Sequence, residues 1–388
     1  MRVLFISQMV PYLPCNDGFR LIPANILKNL SGNHEIHLIS LGGKESVEQI
    51  NWSKAYCASI ATIYPDSSRS FNNFVRHAVG AIAPGLIEKV KASIARLKPH
   101  LLHLEGSSMA SLVSLAPQGV ECVLSIHDSR YLRCSQFFNY SKTLADAVKY
   151  KFLTWRYYRF ERHWYNKSSR IIVTSTVDKN AILGIAKEEN IEVIPNGIDF
   201  DYWFYKPEPV LGRLVFSGNM SWAPNEDAAE YFVKEIFPFI RKQDPKVEFW
   251  IVGASPTKRV IQLSREPGVK VTGTVDDIRE YVRKATLYVS PLRFGAGIKN
   301  KILEAMALGT PIVASKISLT GTSFENGKHL IIAHTGPEFV KSITLLLKDA
   351  CLRKRLSDSA LKEVKTNYTW LDISKRFERV WFSCLKQK

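Results

Sequence analysis

The chain has 388 residues, of which 46% are hydrophobic and 23% charged, and its formal net charge is +17. This length allows two domains with separate cores, and the composition excludes low-complexity, collagen-like and intrinsically disordered classes. The positive charge predicts attraction to a polyanion, such as nucleic acid, anionic lipid or a phosphorylated substrate, without choosing among them.

The six cysteines are scattered, with no C-x-x-C pair and no Cys/His cluster at zinc spacing. This pattern is typical of a reduced, cytoplasmic protein. No segment approaches the roughly 18 apolar residues that a membrane span requires. The apolar run at residues 3–6 is too short for a signal peptide, so we interpret it as part of a first buried strand.

Short apolar runs alternate with helical patterns along the whole chain, which predicts βαβ units and parallel sheets. The predicted strands of the first half are 2–7, 36–41, 101–104, 122–126 and 170–174. Those of the second half are 213–217, 248–252, 269–272, 287–290, 311–314 and 329–332.

A segment without periodicity, residues 202–209, follows the turn-like sequence at 194–199 and indicates a linker. We therefore predict an α/β chain of two Rossmann-like, doubly wound domains, residues 1–197 and 198–369, with a C-terminal helix at 370–388 that packs back on the first. Ligands of open α/β sheets bind beyond the carboxyl ends of the strands. Two such sheets facing across a cleft would suit a reaction with two substrates.

Residues 290–314 contain a strand end, a loop with Gly295 and Gly297, a helix and another strand. Glycines allow close approach of an anion, and the helix start offers free N–H groups, so a diphosphate fits there. Three cations are available to compensate its charge: Arg293, Lys299 and Lys301. A plain βαβ turn with solvated lysines is the alternative, and the glycine spacing does not separate the two.

Glu304 lies among apolar residues of the same helix, where an ionised carboxylate is costly unless it has a partner. Its two oxygens would be able to accept both hydroxyls of a ribose whose phosphates lie at the helix start. The alternative is a salt bridge to a neighbouring lysine.

The sequence KILEAMALGTPIVA at 301–314 closely resembles the nucleotide-sugar site of the retaining GT-B glycosyltransferases of family four, the group 1 glycosyltransferases. Nearly the whole chain shares this resemblance, through further stretches in the same order: 11–20, 126–128, 193–199, 216–225, 251–253 and 271–277. The resemblance implies a glycosyltransferase with an acceptor-side first domain and a second domain that binds a UDP- or GDP-sugar.

For this class the resemblance further implies transfer with retention, without a metal or other cofactor, to a glycan or lipid-linked acceptor in the synthesis of cell-surface polysaccharide or glycolipid. Glu304 corresponds to the second glutamate of the E-x7-E motif, which holds the donor ribose. The first glutamate would fall at Ala296, so the donor sugar stays open. Because the family's Arg and Lys are also missing from 218–225, we expect Arg293 and Lys299 to meet the diphosphate.

The base is expected near residues 273–277, and the turn at 16–20 beside the transferred sugar. The donor-binding residues that the resemblance implies are Gly18, Gly218, Asn219, Gly273, Val275, Gly295, Gly297, Ile298 and Glu304.

His127 follows an apolar strand, and it matches the active-site histidine of the family. A lone histidine is more often structural, but the match favours a catalytic role together with Arg293 and Lys299. Asp128 would either orient the ring or cap the next turn. Glu105, at the end of another strand, is interpreted only as a contact to the acceptor.

Residues 130–170 hold ten Lys and Arg, two acidic residues and a dozen aromatics. Helical spacing predicts a core-facing stripe of Leu153, Tyr157, Phe160 and Trp164. It predicts an opposite, basic and aromatic face of Lys151, Trp155, Tyr158, Arg159 and Arg162. This face predicts docking on an anionic membrane surface, at the inner leaflet of the cell membrane. A solvated face that serves a phosphorylated soluble acceptor is the alternative.

Three other functional classes remain open at this point: another GT-B nucleotide-sugar enzyme such as an epimerase, a catalytically inactive sugar-binding module, and a nucleic-acid-binding protein. Only the positive charge favours the last of them. The sequence has no zinc finger and no basic region with heptads.

Overall fold

A computed structural model describes residues 1–15, 17–64, 84–141 and 143–385. The chain divides into two compact units, one of Met1–Asn196 with Trp370–Lys388 and one of Gly197–Thr369. The boundary that the sequence suggested, after residue 197, lies one residue from this division.

The first unit is built on a seven-stranded parallel sheet with the order β3-β2-β1-β4-β5-β6-β7. Its strands are β1 Arg2–Ser7, β2 Glu35–Leu41, β3 Ser59–Ile63, β4 Leu101–Glu105, β5 Glu121–Ile126, β6 Arg170–Val173 and β7 Ile191–Val193. The central strands are buried along almost their whole length, as expected for a parallel sheet with helices on both faces. Sequence reasoning missed β3, which is only partly buried, and β7, which has three residues.

Helices cover this sheet, and the last of them comes from the C-terminus. They are α1 Gly18–Leu30, α2 Val47–Ala55, α3 Pro84–Leu97, α4 Arg130–Asn139, α5 Leu144–Trp164, α6 Thr176–Ile182 and α14 Trp370–Leu385, with 3₁₀ helices at Ser107–Leu115, Tyr165–Lys167 and Glu188–Asn190. Phe377 and Trp381 of α14 belong to the same buried cluster as Phe5 of β1 and Ile22 of α1. The C-terminal helix is therefore part of the first core.

One predicted helix face needs correction. The helical spacing predicted that Tyr158 lies on the exposed side of α5. In the structure Tyr158 packs against the core, and its ring lies 5.3 Å from that of Tyr131 in α4. Glu161, which the stripe omitted, is fully buried. The cause is that α5 packs against both the core and α4, so that its buried face is wider than one apolar stripe.

The second unit contains a six-stranded parallel sheet with the order β10-β9-β8-β11-β12-β13. Its strands are β8 Val210–Ser217, β9 Glu248–Val252, β10 Val269–Val271, β11 Ala285–Ser290, β12 Ile312–Ala314 and β13 Ile331–Ile332. Its helices are α7 Ala223–Tyr231, α8 Phe237–Gln243, α9 Lys258–Gln262, α10 Ile278–Arg283, α11 Asn300–Ala307, α12 Gly336–Lys348 and α13 Ala350–Asn367, with a π-helical turn at Phe232–Ile236 and 3₁₀ helices at Leu263–Arg265 and Lys316–Leu319.

Each sheet reverses its strand order once, between β1 and β4 in the first unit and between β8 and β11 in the second. In doubly wound sheets, ligands bind in the crevice outside the carboxyl ends of the strands at such a switch point. The loops that follow these four strands are therefore the candidate positions for a ligand-binding site. Among the helices of the described residues, none combines the length and the hydropathy that crossing a bilayer demands.

Candidate active site

The loop between β11 and α11 is held in shape by its own residues. Gly295 and Gly297 have φ angles of +130° and +72°, in the region that favours glycine. The Lys299 ammonium donates to the carbonyl oxygens of Gly295, Ala296 and Gly297 at 3.2, 2.8 and 2.6 Å. Lys299 thus lies in the predicted loop, and the described contacts turn its charge toward the loop's own backbone.

Arg293 braces the same loop against α7. Its Nε and Nη2 donate to the two carboxylate oxygens of Asp227 at 2.8 and 2.5 Å, and its guanidinium lies 4.8 Å from the centre of the Tyr231 ring. A bidentate pair of this kind fixes orientation as well as charge. The charge of Arg293, which the sequence analysis assigned to a diphosphate, is therefore already paired with the Asp227 carboxylate.

A different cation lies at the switch point between β8 and β11. Lys301, in the first turn of α11, donates to Oδ1 of Asn225 at 2.8 Å, and its ammonium lies 4.4 Å from the centre of the Phe216 ring. Burial, with a smaller contribution from Lys299, lowers the pKa of Lys301 to about 7, and Glu304 opposes this shift. A Cβ added to Gly218 would lie 2.9 Å from the Lys301 ammonium, so glycine leaves room for this side chain.

Glu304 lies one helical turn beyond Lys301. Burial raises the pKa of Glu304 to about 7, partly opposed by Lys301. Within the described part of the chain, no side chain donates a hydrogen bond to this carboxylate or forms an ion pair with it; the nearby Tyr288 hydroxyl bonds Ser217 instead. The salt-bridge alternative for Glu304 therefore has no support, and the carboxylate is ready to accept hydrogen bonds from a ligand.

Some of the other predicted donor residues contact the same part of the second unit. The Asn219 carbonyl accepts a hydrogen bond of 2.8 Å from the Asn225 amide, which connects the loop after β8 to Lys301. Val275 and Ile298 both pack against the apolar cluster that contains the buried side of α11. A Cβ added to Gly273 would meet no atom within 4 Å. The described contacts thus join Gly218 and Asn219 to the surroundings of Lys301, and they join Val275 and Ile298 to the apolar cluster of α11.

In the first unit, His127 and Gly18 are neighbours. Nδ1 of His127 lies 3.7 Å from the position of a Cβ added to Gly18, and the His127 ring is 4.9 Å from that of Phe19. Both follow the ends of strands, β5 for His127 and β1 for Gly18. Asn16, in the same predicted turn, lies outside the described residues.

Asp128 does not orient the His127 ring. Its carboxylate accepts from Nη1 of Arg133 at 2.8 and 3.2 Å, which ties the turn after β5 to α4. The structure therefore favours a local structural role for Asp128.

Glu105 is the carboxylate that contacts His127, and the interpretation of Glu105 as an acceptor contact is wrong because its side chain is fully buried. Its Oε1 lies 2.8 Å from Nε2 of His127, and its Oε2 lies 2.9 Å from Nε2 of His103. Burial alone would raise the pKa of Glu105, but these two imidazoles outweigh it and hold the value at about 2. The sequence signal was His103, two residues earlier on the same strand face.

In residues 1–15, 17–64, 84–141 and 143–385, no group of three or more His, Cys, Asp or Glu side chains is arranged to hold a metal ion.

Solved structures with the same architecture define the class of fold. HepE of Anabaena, in complex with UDP and glucose, aligns with a TM-score of 0.68 at 16% identity, over 98% of this chain and 99% of that one. Sucrose-phosphate synthase from Thermosynechococcus elongatus aligns with a TM-score of 0.72 at 15% identity, over the full length of both chains. The two units thus have the GT-B fold.

Family models and relatives define the class of enzyme. Residues 24–202 match the model described as Glycosyltransferase Family 4, and residues 212–349 match Glycosyl transferases group 1. An uncharacterized 44.6 kDa protein in the cps region of Klebsiella pneumoniae is 23% identical over 98% of this chain and 99% of its own length. The phosphatidyl-myo-inositol mannosyltransferase of Mycobacterium leprae is 25% identical over 57% of this chain and 60% of its own. The chain is therefore a glycosyltransferase. Of the classes that the sequence left open, this is the one that the matches support.

Replacing Glu304 with Gln should stabilise the ligand-free protein increasingly as the pH rises. Because folding raises the pKa of Glu304 to about 7, its contribution to stability is present at low pH and is lost as the pH rises through that value. Gln has no such ionisation. The difference in unfolding free energy between variant and wild type should therefore grow by about 2 kcal/mol from pH 5 to pH 8 in chemical denaturation.

Glu266→Gln is the matched control, since Glu266 is exposed in the same unit. Its difference from wild type should be the same at both pH values. A Glu304→Gln difference that does not change with pH would contradict the burial of this carboxylate.

Proposed function

We propose that the enzyme transfers a sugar from a nucleoside diphosphate sugar to a hydroxyl of a glycan or lipid-linked acceptor, with retention at the anomeric carbon. The observation that carries the proposal is the pair Lys301 and Glu304, a half-buried cation and a half-buried carboxylate one turn apart at the start of α11. In the proposal, Lys301 meets the diphosphate and Glu304 accepts both ribose hydroxyls.

The ligand-free energetics support a ligand of this kind. Burial lowers the pKa of Lys301 and raises that of Glu304, so each charged form lacks part of the solvation that it would have in water. A phosphate oxygen would favour the charged lysine, and ribose hydroxyls would favour the charged glutamate. One nucleoside diphosphate offers both groups at adjacent positions.

Uridine nucleotides are the first donors to test, because the similar Anabaena protein HepE was solved in complex with UDP and with UDP-glucose. GDP-sugars are the alternative. Since Ala296 stands where the family's first glutamate would be, we leave the sugar unassigned.

For the reaction itself we propose a front-face displacement. The bond between the anomeric carbon and the diphosphate oxygen breaks as the acceptor hydroxyl attacks from the same face, and its proton passes to the departing phosphate. Lys301 and the N–H groups at the start of α11 would stabilise the leaving group, without a metal ion. Arg293 and Lys299 would act by shaping the loop, and His127 would contact the transferred sugar.

Replacing Lys301 with Met should weaken UDP binding by about 10- to 100-fold, since a hydrogen bond to a charged group contributes about 1.5–3 kcal/mol. Uridine affinity should change far less, because uridine has no phosphate. Glu304→Ala should instead weaken both ligands. Isothermal titration calorimetry with UDP and uridine measures all of these affinities.

Lys354→Met is the matched control, because Lys354 is exposed and pairs only with Asp358 in the described structure. This variant should bind UDP as the wild type does. If Lys301→Met left the UDP affinity unchanged, or reduced the uridine affinity equally, the diphosphate assignment would be wrong.

We further propose that the acceptor is lipid-linked and that the enzyme binds the cytoplasmic leaflet as a peripheral protein. Helix α5 has a row of exposed apolar side chains at intervals of four, four and three residues, which places them on one face. They are Leu144 at 83% exposure, Val148 at 63%, Phe152 at 55% and Trp155 at 53%. An apolar row of this kind is typical of a helix that lies in a membrane interface.

The charges beside this row favour anionic lipid. Lys151, Arg159 and Arg162 are exposed on α5, and the Arg159 guanidinium lies 5.2 Å from the Trp155 ring. The acidic residues of α5 are Asp146 and the buried Glu161. Two relatives are consistent with a role in cell-surface polysaccharide or glycolipid synthesis: one lies in a cps region, and one is named for phosphatidyl-myo-inositol.

The wild-type protein should cosediment with vesicles that contain phosphatidylglycerol and should bind less in high salt. Neutralising Lys151, Arg159 and Arg162 together should reduce binding by at least about tenfold, since each basic residue near the surface contributes about 1 kcal/mol. Phe152→Ser with Trp155→Ser should also reduce it.

Phe239→Ser provides the control, because Phe239 is an exposed aromatic residue of α8 in the other unit. It should leave vesicle binding unchanged. A wild-type protein that stays in the supernatant at low salt would favour a soluble acceptor.

A further inference from the structure

A chain of buried polar contacts in the first unit joins the C-terminal helix to His127. The Trp381 indole of α14 lies against His103 of β4, His103 contacts Glu105 at the end of the same strand, and Glu105 contacts His127. Trp381, His103 and Glu105 are fully buried, whereas the His127 side chain is 12% exposed. The chain therefore starts in the core and ends at the one member that reaches the surface.

The tautomer of His103 follows from its partners. The Trp381 Nε1–H is a donor only, and it lies 3.1 Å from Nδ1 of His103, so Nδ1 must accept and cannot carry a proton. The proton of the neutral ring is then on Nε2, which donates to Oε2 of Glu105 at 2.9 Å. Phe5, stacked on the His103 ring at 4.3 Å, fixes its plane.

Glu105 in turn connects His103 to His127. With Oε2 occupied by His103, Oε1 is left for the Ser125 hydroxyl at 3.2 Å and for Nε2 of His127 at 2.8 Å. The 2.8 Å approach of Nε2 to Oε1 lacks the in-line geometry of a hydrogen bond, but the lone pair of an unprotonated nitrogen this close to an ionised carboxylate would be repelled, so the contact favours the proton on Nε2. The other nitrogen, Nδ1, faces Gly18 at the start of α1 and is the one with a free lone pair.

We infer that Trp381, His103 and Glu105 are positioning residues that fix which nitrogen of His127 meets the substrate, so that the C-terminal helix contributes to the active site. The inference rests on the proposed function in one respect, the contact of His127 with the transferred sugar. In that contact Nδ1 of His127 accepts a hydrogen bond from a sugar hydroxyl. Similar outer partners fix the tautomer of metal-bound histidines in other proteins.

Glu105→Gln gives a sharp test because an amide has one accepting oxygen and one donating nitrogen in place of two acceptors. Two Nε2–H groups cannot both be satisfied by it. Trp381 still holds His103 in its Nε2–H form, so His127 should change to the Nδ1–H form. Nitrogen-15 NMR of histidine-labelled full-length protein should show Nε2–H for both residues in the wild type and this change in the variant.

Turnover should report the same change. With Nδ1 protonated, His127 no longer accepts the sugar hydroxyl, and kcat should fall at least about tenfold. The KM for the donor and the UDP affinity should stay within about twofold, because Glu105 is in the other unit from Glu304. Trp381→Phe should release His103 to a mixture of tautomers and lower kcat in the same way.

Trp370→Phe is the matched control, a buried tryptophan of the same helix that does not contact His103 in the described structure. It should keep the wild-type tautomers and kcat. An Nδ1–H form of either histidine in the wild type would overturn the inference, as would wild-type kcat in both Glu105→Gln and Trp381→Phe. A wild-type enzyme with the expected tautomers but no transfer from any nucleotide sugar would contradict the proposed function instead.

Discussion

The candidate site of the second unit depends on the withdrawal of two opposite charges from water at the start of α11. Lys301 is held by the Asn225 amide oxygen and the Phe216 ring, and Glu304 is held by the helix itself. Their separate burial displaces both pKa values toward neutrality. Such charges are costly without a complementary ligand, and sites arranged in this way are commonly functional.

The residues of the loops after β8 and β11 accommodate the charged groups at the start of α11. Gly218 leaves the space that the Lys301 ammonium occupies, and Asn225 joins that ammonium to the loop after β8. Arg293 and Lys299 are engaged with Asp227 and with loop carbonyls. The three cations near α11 therefore differ in their contacts: Arg293 pairs with Asp227, Lys299 bonds loop carbonyls, and Lys301 is the one proposed to meet a diphosphate.

The first unit contains a carboxylate whose pKa is shifted in the opposite direction from that of Glu304. Glu105, at a switch-point strand, is fully buried, but His103 and Ser125 bond it, His127 lies against it, and its pKa falls. A satisfied buried carboxylate fixes its neighbours, whereas an unsatisfied one is suited to bind. This contrast separates the positioning role of Glu105 from the binding role proposed for Glu304.

Much of the architecture was readable from the sequence, because buried parallel strands form nearly continuous apolar runs such as those of β1 and β9. The partly buried β3 and the short β7 carry no such signal. Glu304 was recognisable as a charge among apolar helix residues. The sequence did not indicate that Lys301 rather than Arg293 should be proposed to meet the diphosphate. That proposal depends on contacts with Asp227 and Asn225, which lie in a separate helix about 70 residues earlier. Tyr158 was misplaced for the same reason, since α4 widens the buried face of α5.

A crystal structure of the enzyme with bound UDP tests the central claim most directly. The account predicts a diphosphate oxygen within about 3 Å of the Lys301 ammonium and both ribose hydroxyls on the Glu304 carboxylate. UDP bound away from the start of α11, or a ribose that does not contact Glu304, would contradict it.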